Sequence, residues 1–152
     1  MKLLWDIRKF DDLDANVLYQ IMQLRQKVFV VEQECAYLDA DDLDQQATHM
    51  LGRNENGDLV AYCRLLKPTS YYKETSIGRV ITVQEARGTG VGKDMMYLAI
   101  QACESLFPSD NIRIMAQYYL LKFYTDLGFQ AEGEIFLEDG IEHIEMVYQV
   151  QS

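Results

Sequence analysis

Apolar and polar residues follow two periods along this chain, and the switches between them predict its elements. Leu18, Ile21, Met22, Arg25, Val28 and Phe29 recur at helical spacing behind a capping Asp14, which predicts a helix from Asp14 to about Val31. "KLLWDIRK" before it reads as a first strand. "EQECAYLDADDLDQQA" after it has no period and many acids, the mark of a long loop. "THMLGRN" and "LVAYCRLLK" flank Glu55-Asn56-Gly57-Asp58, and Asn-Gly between strand-like runs signals a hairpin. "TSIGRVITV" is a further strand. From Gly90 to Phe107, Val91, Met95, Leu98, Ala99, Ala102 and Leu106 share one helical face. "NIRIMAQ" reads as a short buried strand, and "YYLLKFYTDL" as a helix closed by Gly128. "FQAEGEIFLEDGIEHIEMVYQV" is two strands joined by Asp139-Gly140. The order β-α-β-β-β-α-β-α-β-β predicts a mixed sheet covered by helices, in the α/β (α+β) class.

At 152 residues the chain fits one domain, 1–152, with no linker or repeat. No apolar run approaches the ~18 residues of a membrane helix. "MKLLWDIRKFDD" lacks the apolar core and cleavage site of a signal peptide, so a cytoplasmic location is expected. The net charge of -10 repels a phosphate backbone, which argues against nucleic acid, and attracts amines or basic peptides. The same charge serves solubility equally well. Cys35, Cys63 and Cys103 are odd in number and form no CxxC pair, which argues against disulfides and against a metal site. Cys63 and Cys103 lie in apolar patterns as small buried hydrophobes, and Cys35 lies in a polar loop.

The chemistry concentrates at Arg87 to Lys93, "RGTGVGK", between a strand and a helix. The start of a helix leaves backbone N–H groups without internal partners, and glycine lets an anion approach them closely. Two nucleotide patterns fail here. Gly92-Lys93 is followed by Asp94 rather than Ser or Thr, and the spacing G-x-G-x-G is not the dinucleotide fingerprint.

"VITVQEARGTGVGKDMM" resembles the acyl-CoA-binding signature of the GNAT superfamily of N-acetyltransferases, with Arg87, Gly90 and Gly92 in its three fixed positions. "FYTDLGF" resembles a second hallmark of that family, a helix ending in Tyr-x-x-x-Gly-Phe, at the right interval. "LRQKVFVVEQECAYLDADDLDQQATHMLG", "IGRV" and "DGIEHIEM" resemble the ElaA-type branch, so the likeness covers nearly the whole chain. Glu142 stands where a proline is expected before His143, and Gln117-Tyr118 where the family often has an Asn. The resemblance implies a GNAT fold, with a mostly antiparallel sheet splayed at the acyl-CoA strand and flanked by helices. It implies acetyl-CoA (coenzyme A) as co-substrate. Ile81, Thr82 and Val83 would meet the pantetheine arm, and Arg87, Gly88, Thr89, Gly90, Val91, Gly92 and Lys93 the pyrophosphate. Gln117 would stand beside the cofactor, and Tyr124 would protonate the departing thiolate.

The attacking amine must lose a proton, and Glu32, His49, Glu142, His143 and Glu145 are the candidate bases, with His143 and Glu32 placed in the catalytic set. Arg25 lies on the apolar face of its helix and needs a partner, which Glu32, an acid of the next loop or a carboxylate-bearing substrate could supply. Arg64 and Arg79, both in strands, pose the same question. Arg25, His49 and Arg79 are assigned to the acceptor side, with a structural or supporting role the favoured reading of His49. The four acids from Asp39 to Asp44 are expected to line that side and favour cationic amines. The function implied is direct transfer of an acetyl group to a primary amine, small molecule or peptide, by a monomer or homodimer with no nucleic-acid or membrane partner. The alternative is a catalytically silent acyl-CoA-binding sensor of the same fold.

Overall fold

In the computed structural model, which describes residues 1–69, 71–108 and 110–150, the first helix begins where its cap predicts. Ser70, Ser109 and the last two residues of the expected 1–152 domain lie outside the described residues. The Asp14 carboxylate accepts from the Val17 N–H at 2.8 Å, satisfying one orphan donor of the first turn. The helix, α1 (Ala15–Arg25), follows strand β1 (Leu4–Lys9). It does not run on as α-helix. Gln26–Glu32, "QKVFVVE", is a π-helical segment, and its valines and phenylalanine are poor helix formers. Single-turn π segments are frequent at functional sites.

The remaining strands are β2 (Thr48–Arg53), β3 (Leu59–Leu66), β4 (Thr75–Thr82), β5 (Ile112–Gln117), β6 (Gln130–Glu138) and β7 (Ile141–Tyr148). Helices α2 (Val91–Leu106) and α3 (Leu121–Asp126) complete the order. The helix expected over 118–127 is shorter than its pattern, because Tyr118–Leu120 forms a 3-10 turn. Asp139 (φ +53°) and Gly140 (φ +78°) are both left-handed, as the two-residue hairpin between β6 and β7 demands.

The seven strands form one sheet in the order β1-β2-β3-β4-β5-β7-β6. Every neighbouring pair is antiparallel except β4–β5. Alternation along the strands feeds two layers. Cys63 and Leu65 join Met95, Met96, Ala99 and Cys103 of α2 in the larger core, with Tyr124 and Leu127 at its α3 end. Leu51 and Tyr62 point the other way, against Ile21, Leu24 and Val28. Gly52 lies opposite Trp5, where a Cβ would come within 2.6 Å of the indole.

Two irregularities of β4 make the site. Leu65 pairs with Ile77 and Arg64 with Gly78, but Tyr62 pairs with Ile81. One extra residue has therefore entered β4. It sends Ile77 into the α2 core and Ile81 into the α1 core, although residues four apart in a regular strand share a face. Arg79 sits in this bulge at φ +51°. The second irregularity is a splay: β4 and β5 pair only at Thr75–Ile112 and Ser76–Arg113, then part. The gap becomes a cleft of about 670 Å³ reaching from the π segment through the sheet to α2 and α3. Among the described residues, no helix is long and apolar enough to cross a membrane.

Candidate active site

One end of the cleft is built from backbone. Gly88 (φ +77°) and Gly90 (φ +86°) turn the chain from β4 into α2, and Gly90 is the N-cap. A Cβ at either would meet nothing within 4 Å, so these glycines answer a conformational need and leave open space above the loop. The first helical bond runs from the Asp94 N–H to the Gly90 carbonyl, so the N–H groups of Val91, Gly92 and Lys93 have no helical acceptor. Helix α2 adds its positive N-terminal dipole. The Lys93 ammonium lies 5.9 Å from the centre of the Tyr97 ring. Arg87 donates from Nε to the Thr82 carbonyl (3.0 Å) and from Nη2 to Glu32 (2.7 Å). An open cradle of amide donors between two cations is suited to a phosphate-type anion.

Not every predicted loop residue offers its side chain. The Thr89 hydroxyl donates to the Ala86 carbonyl, and Val91 is buried in the α2 core. On β4, Ile81 and Thr82 line the cleft. The Val83 N–H is already donated to the Val60 carbonyl at 2.9 Å.

Tyr124 and His143 line the deeper part of the same cleft, and Gln117, opposite His143 in the β5–β7 register, lies beside them. Burial pushes the Tyr124 phenol well above its ordinary range, with the neighbouring Cys63 and Tyr119 adding to the effect, so it is held protonated. Among the described residues its hydroxyl makes no hydrogen bond to protein, which leaves its proton for a ligand. His143 Nδ1 lies 2.8 Å from the Ile141 carbonyl. A carbonyl can only accept, so Nδ1 is the donor of this contact and Nε2 is the ring nitrogen left for another partner. Phe136 stacks on that ring, with centroids 6.0 Å apart. Glu32 lines the mouth of the cleft, but its carboxylate is engaged by Arg87, and both side chains are 42% exposed.

The acceptor-side expectations are corrected for Arg25, His49 and the loop acids, while Arg79 lines the cleft. Arg25 is wholly buried and donates to Asp39 (Nε–Oδ2, 2.6 Å), to the Asp39 carbonyl and to Asp44. The loop acid is its partner, and no substrate carboxylate can reach it. Arg64 binds Asp41 through both terminal nitrogens and also reaches Asp44. Arg79 donates to Asp39 (2.8 Å) and Asp41 (3.3 Å). Three of the four loop acids are thus matched to three arginines, so they present no free negative face to a cationic amine. Asp42 alone of the four is exposed. Burial raises the pKa of Asp41, but Arg64, the Leu43 N–H and Arg79 outweigh it and bring the group down to about 2. Burial likewise works against ionised Asp44, and Arg25 and Arg64 prevail, lowering it. His49 is equally committed: it accepts from the Tyr62 hydroxyl at Nδ1 (2.6 Å) and donates from Nε2 to the Asp44 carbonyl (2.9 Å). Burial lowers its pKa, so it stays a neutral structural residue and is removed from the acceptor side.

Reading each arginine and each aspartate separately missed this cluster. The signal lay in the count, because three arginines in need of partners matched three of the four acids in one loop. Phe29 and Met115 also line the cleft and carried no sequence signal beyond their apolar pattern. The thiols of Cys63 and Cys103 are pushed up by burial, the latter to about 12, and that of Cys35 by desolvation and the nearby Asp139. None of the three is an activated nucleophile.

Residues 16–150 match the family model of the acetyltransferase (GNAT) domain. A UPF0039 protein of Synechocystis sp. is 41% identical over 150 residues, covering 99% of this chain and 97% of that protein. The crystal structure of an acyl-CoA N-acyltransferase from Pseudomonas aeruginosa superposes with a TM-score of 0.91 at 40% identity, covering 97% of this chain and 99% of that one. Escherichia coli ElaA superposes equally well, with a TM-score of 0.91 at 37% identity over 97% of this chain and 100% of that one. A splayed seven-stranded sheet, a glycine-built anion cradle at the start of α2 and a sequence match along nearly the whole chain converge: the chain belongs to the GNAT acetyltransferase family, among its ElaA-like members.

Proposed function

We propose that this chain is an acyl-CoA-dependent N-acyltransferase that moves an acetyl group from acetyl-CoA to a primary amine, small molecule or peptide, by direct attack in a ternary complex. It would act as a single domain, a cytoplasmic monomer or homodimer. The observation that carries this reading is the continuity of one cleft, with the glycine loop at one end and Tyr124 and His143 at the other. The amides from Gly88 to Lys93, with Arg87 and Lys93, would hold the pyrophosphate, and the open edge of β4 the pantetheine arm. Gln117 would lie beside that arm. Bound there, acetyl-CoA supplies an activated thioester.

His143 Nε2 takes the proton that the attacking ammonium must lose. Backbone N–H groups of β4 donate to the acyl oxygen as it gains negative charge. Tyr124 passes its hydroxyl proton to the sulfur as the C–S bond breaks and the C–N bond is completed. The nitrogen gives up a second proton as the amide forms, and that proton restores the Tyr124 hydroxyl. The products are the amide and free coenzyme A, with one proton left on His143 and one on the thiol. Glu32 exchanges its arginine: when Arg87 turns to phosphate, the freed carboxylate faces the incoming amine. Release of coenzyme A, followed with a thiol reagent against a panel of polyamines, amino acids and peptides, tests the reading. Amine-dependent release is expected. Tight acetyl-CoA binding with no release across the panel would favour the sensor alternative.

A further inference from the structure

Arg79 holds a backbone conformation that an L-residue rarely adopts, in the strand that faces the cleft, at the point where the register slips. Such a conformation persists only where its surroundings over-determine it. Here they do. Arg79 Nε meets Asp39 Oδ1 at 2.8 Å and its Nη2 meets the Asp39 carbonyl at 3.0 Å. Asp39 is in turn fixed by Arg25 at Oδ2 and by the Tyr37 hydroxyl at Oδ1 (2.7 Å). Arg25 closes α1, immediately before the π segment that forms the facing wall of the cleft. One buried carboxylate therefore ties both walls together. Gly78, next to Arg79, lines the cleft and has only backbone to offer it.

We infer that Asp39 and Arg79 are positioning residues: their clamp holds the β4 bulge so that its backbone N–H groups meet the acyl carbonyl. This rests on the reading of β4 as the carbonyl-polarising strand. It gives the acidic loop a role opposite to attracting an amine. The loop acts as a mould for the oxyanion donors, and its charges are consumed in making it. The clamp shares no hydrogen bond with the glycine loop, so it should govern carbonyl polarisation more than cofactor affinity.

Isotope-edited infrared spectra of acetyl-CoA carrying ¹³C at the thioester carbonyl read this directly, without an acceptor. The band of wild-type-bound acetyl-CoA is expected to shift to lower frequency than in solution. Arg79→Ala and Asp39→Asn should lose that shift, while acetyl-CoA affinity stays within about threefold, as expected when only preferential stabilisation of the reacting group is removed. Arg79→Lys, which keeps the charge but cannot bridge carboxylate and carbonyl as a planar fork, should lose part of it and covers the case in which the other two fail to fold. Glu74→Gln breaks the bidentate pair with Arg113 elsewhere in the sheet and should lower stability without moving the band. A full shift in a folded Arg79 or Asp39 variant overturns the inference and leaves the reading of β4 intact. A wild-type complex with no shift overturns both.

Discussion

The two walls of the cleft are built by different physics. The α2 wall uses backbone: left-handed glycines at 88 and 90, unpaired amides at the helix start and a dipole. Behind the facing wall, the π segment and the β4 bulge are held by the loop between the π segment and β2 through buried ion pairs that neutralise one another. The first wall keeps its donors free for a ligand; the second spends its charges on shape. A buried ion-pair network adds little net stability, because desolvation consumes most of the attraction, but it penalises every arrangement that leaves one charge alone. The cluster around Arg113 makes a useful contrast. There a single arginine meets Glu74, Glu132 and Glu145, with Glu132 well exposed, so charges are unmatched and partly screened by solvent.

The largest expected effect attacks the backbone-built wall. Gly90→Asp places a carboxylate on the open cradle and is expected to abolish acetyl-CoA binding in titration calorimetry; intact affinity would mean that the anion binds elsewhere. Next, Arg25→Ala strands Asp39 and Asp44 and should cost about 3–5 kcal/mol in urea unfolding, as removal of one partner of a buried pair does. A loss below about 1 kcal/mol, the range of a surface pair, would erase the distinction between the walls. Tyr124→Phe removes a proton donor without touching either wall and should lower thioester turnover by about 10²-fold, with coenzyme A affinity near wild type. Unchanged turnover would assign the proton to water.

The smallest effect is a pH dependence. The folded-state pKa of Asp41 lies at about 2 and that of Asp44 is lowered too, both below their unfolded values. A depressed carboxylate contributes stability that is fully present above its unfolded pKa and lost as pH falls through the folded one. Stability should therefore decline from about pH 4 down to about pH 2, with Asp41 alone worth on the order of 2 kcal/mol. Acid titrations of unfolding free energy check this. A flat profile over that interval would show the loop acids to be unpaired.

What could be read without a structure was local. The capped start of α1, both hairpin turns and the α2 face each follow from neighbours within a few residues. The GNAT motifs lie in such segments, so the glycine turn and the start of α2 were legible in the sequence. The acidic loop behind the facing wall was not. Its acids were visible, but their partners lie 14 to 40 residues away, and nothing in one loop states which distant arginine it will meet. The sign of the expectation was accordingly reversed, from a surface that attracts cations to one already occupied by them.

The bulge at Arg79 was equally hidden. "SIGRVIT" is compatible with an unbroken strand, and only the separate burial of Ile77 and Ile81 in two cores demands the extra residue. Sequence alone determined where α1 and α2 start, where hairpins turn and which loop leaves its amides open, because caps and φ > 0 positions are decided within one turn of chain. Tertiary structure decided which charges cancel, which strand slips by a residue and where the sheet parts. Those outcomes depend on which groups are removed from water together, and burial is a property of the whole fold.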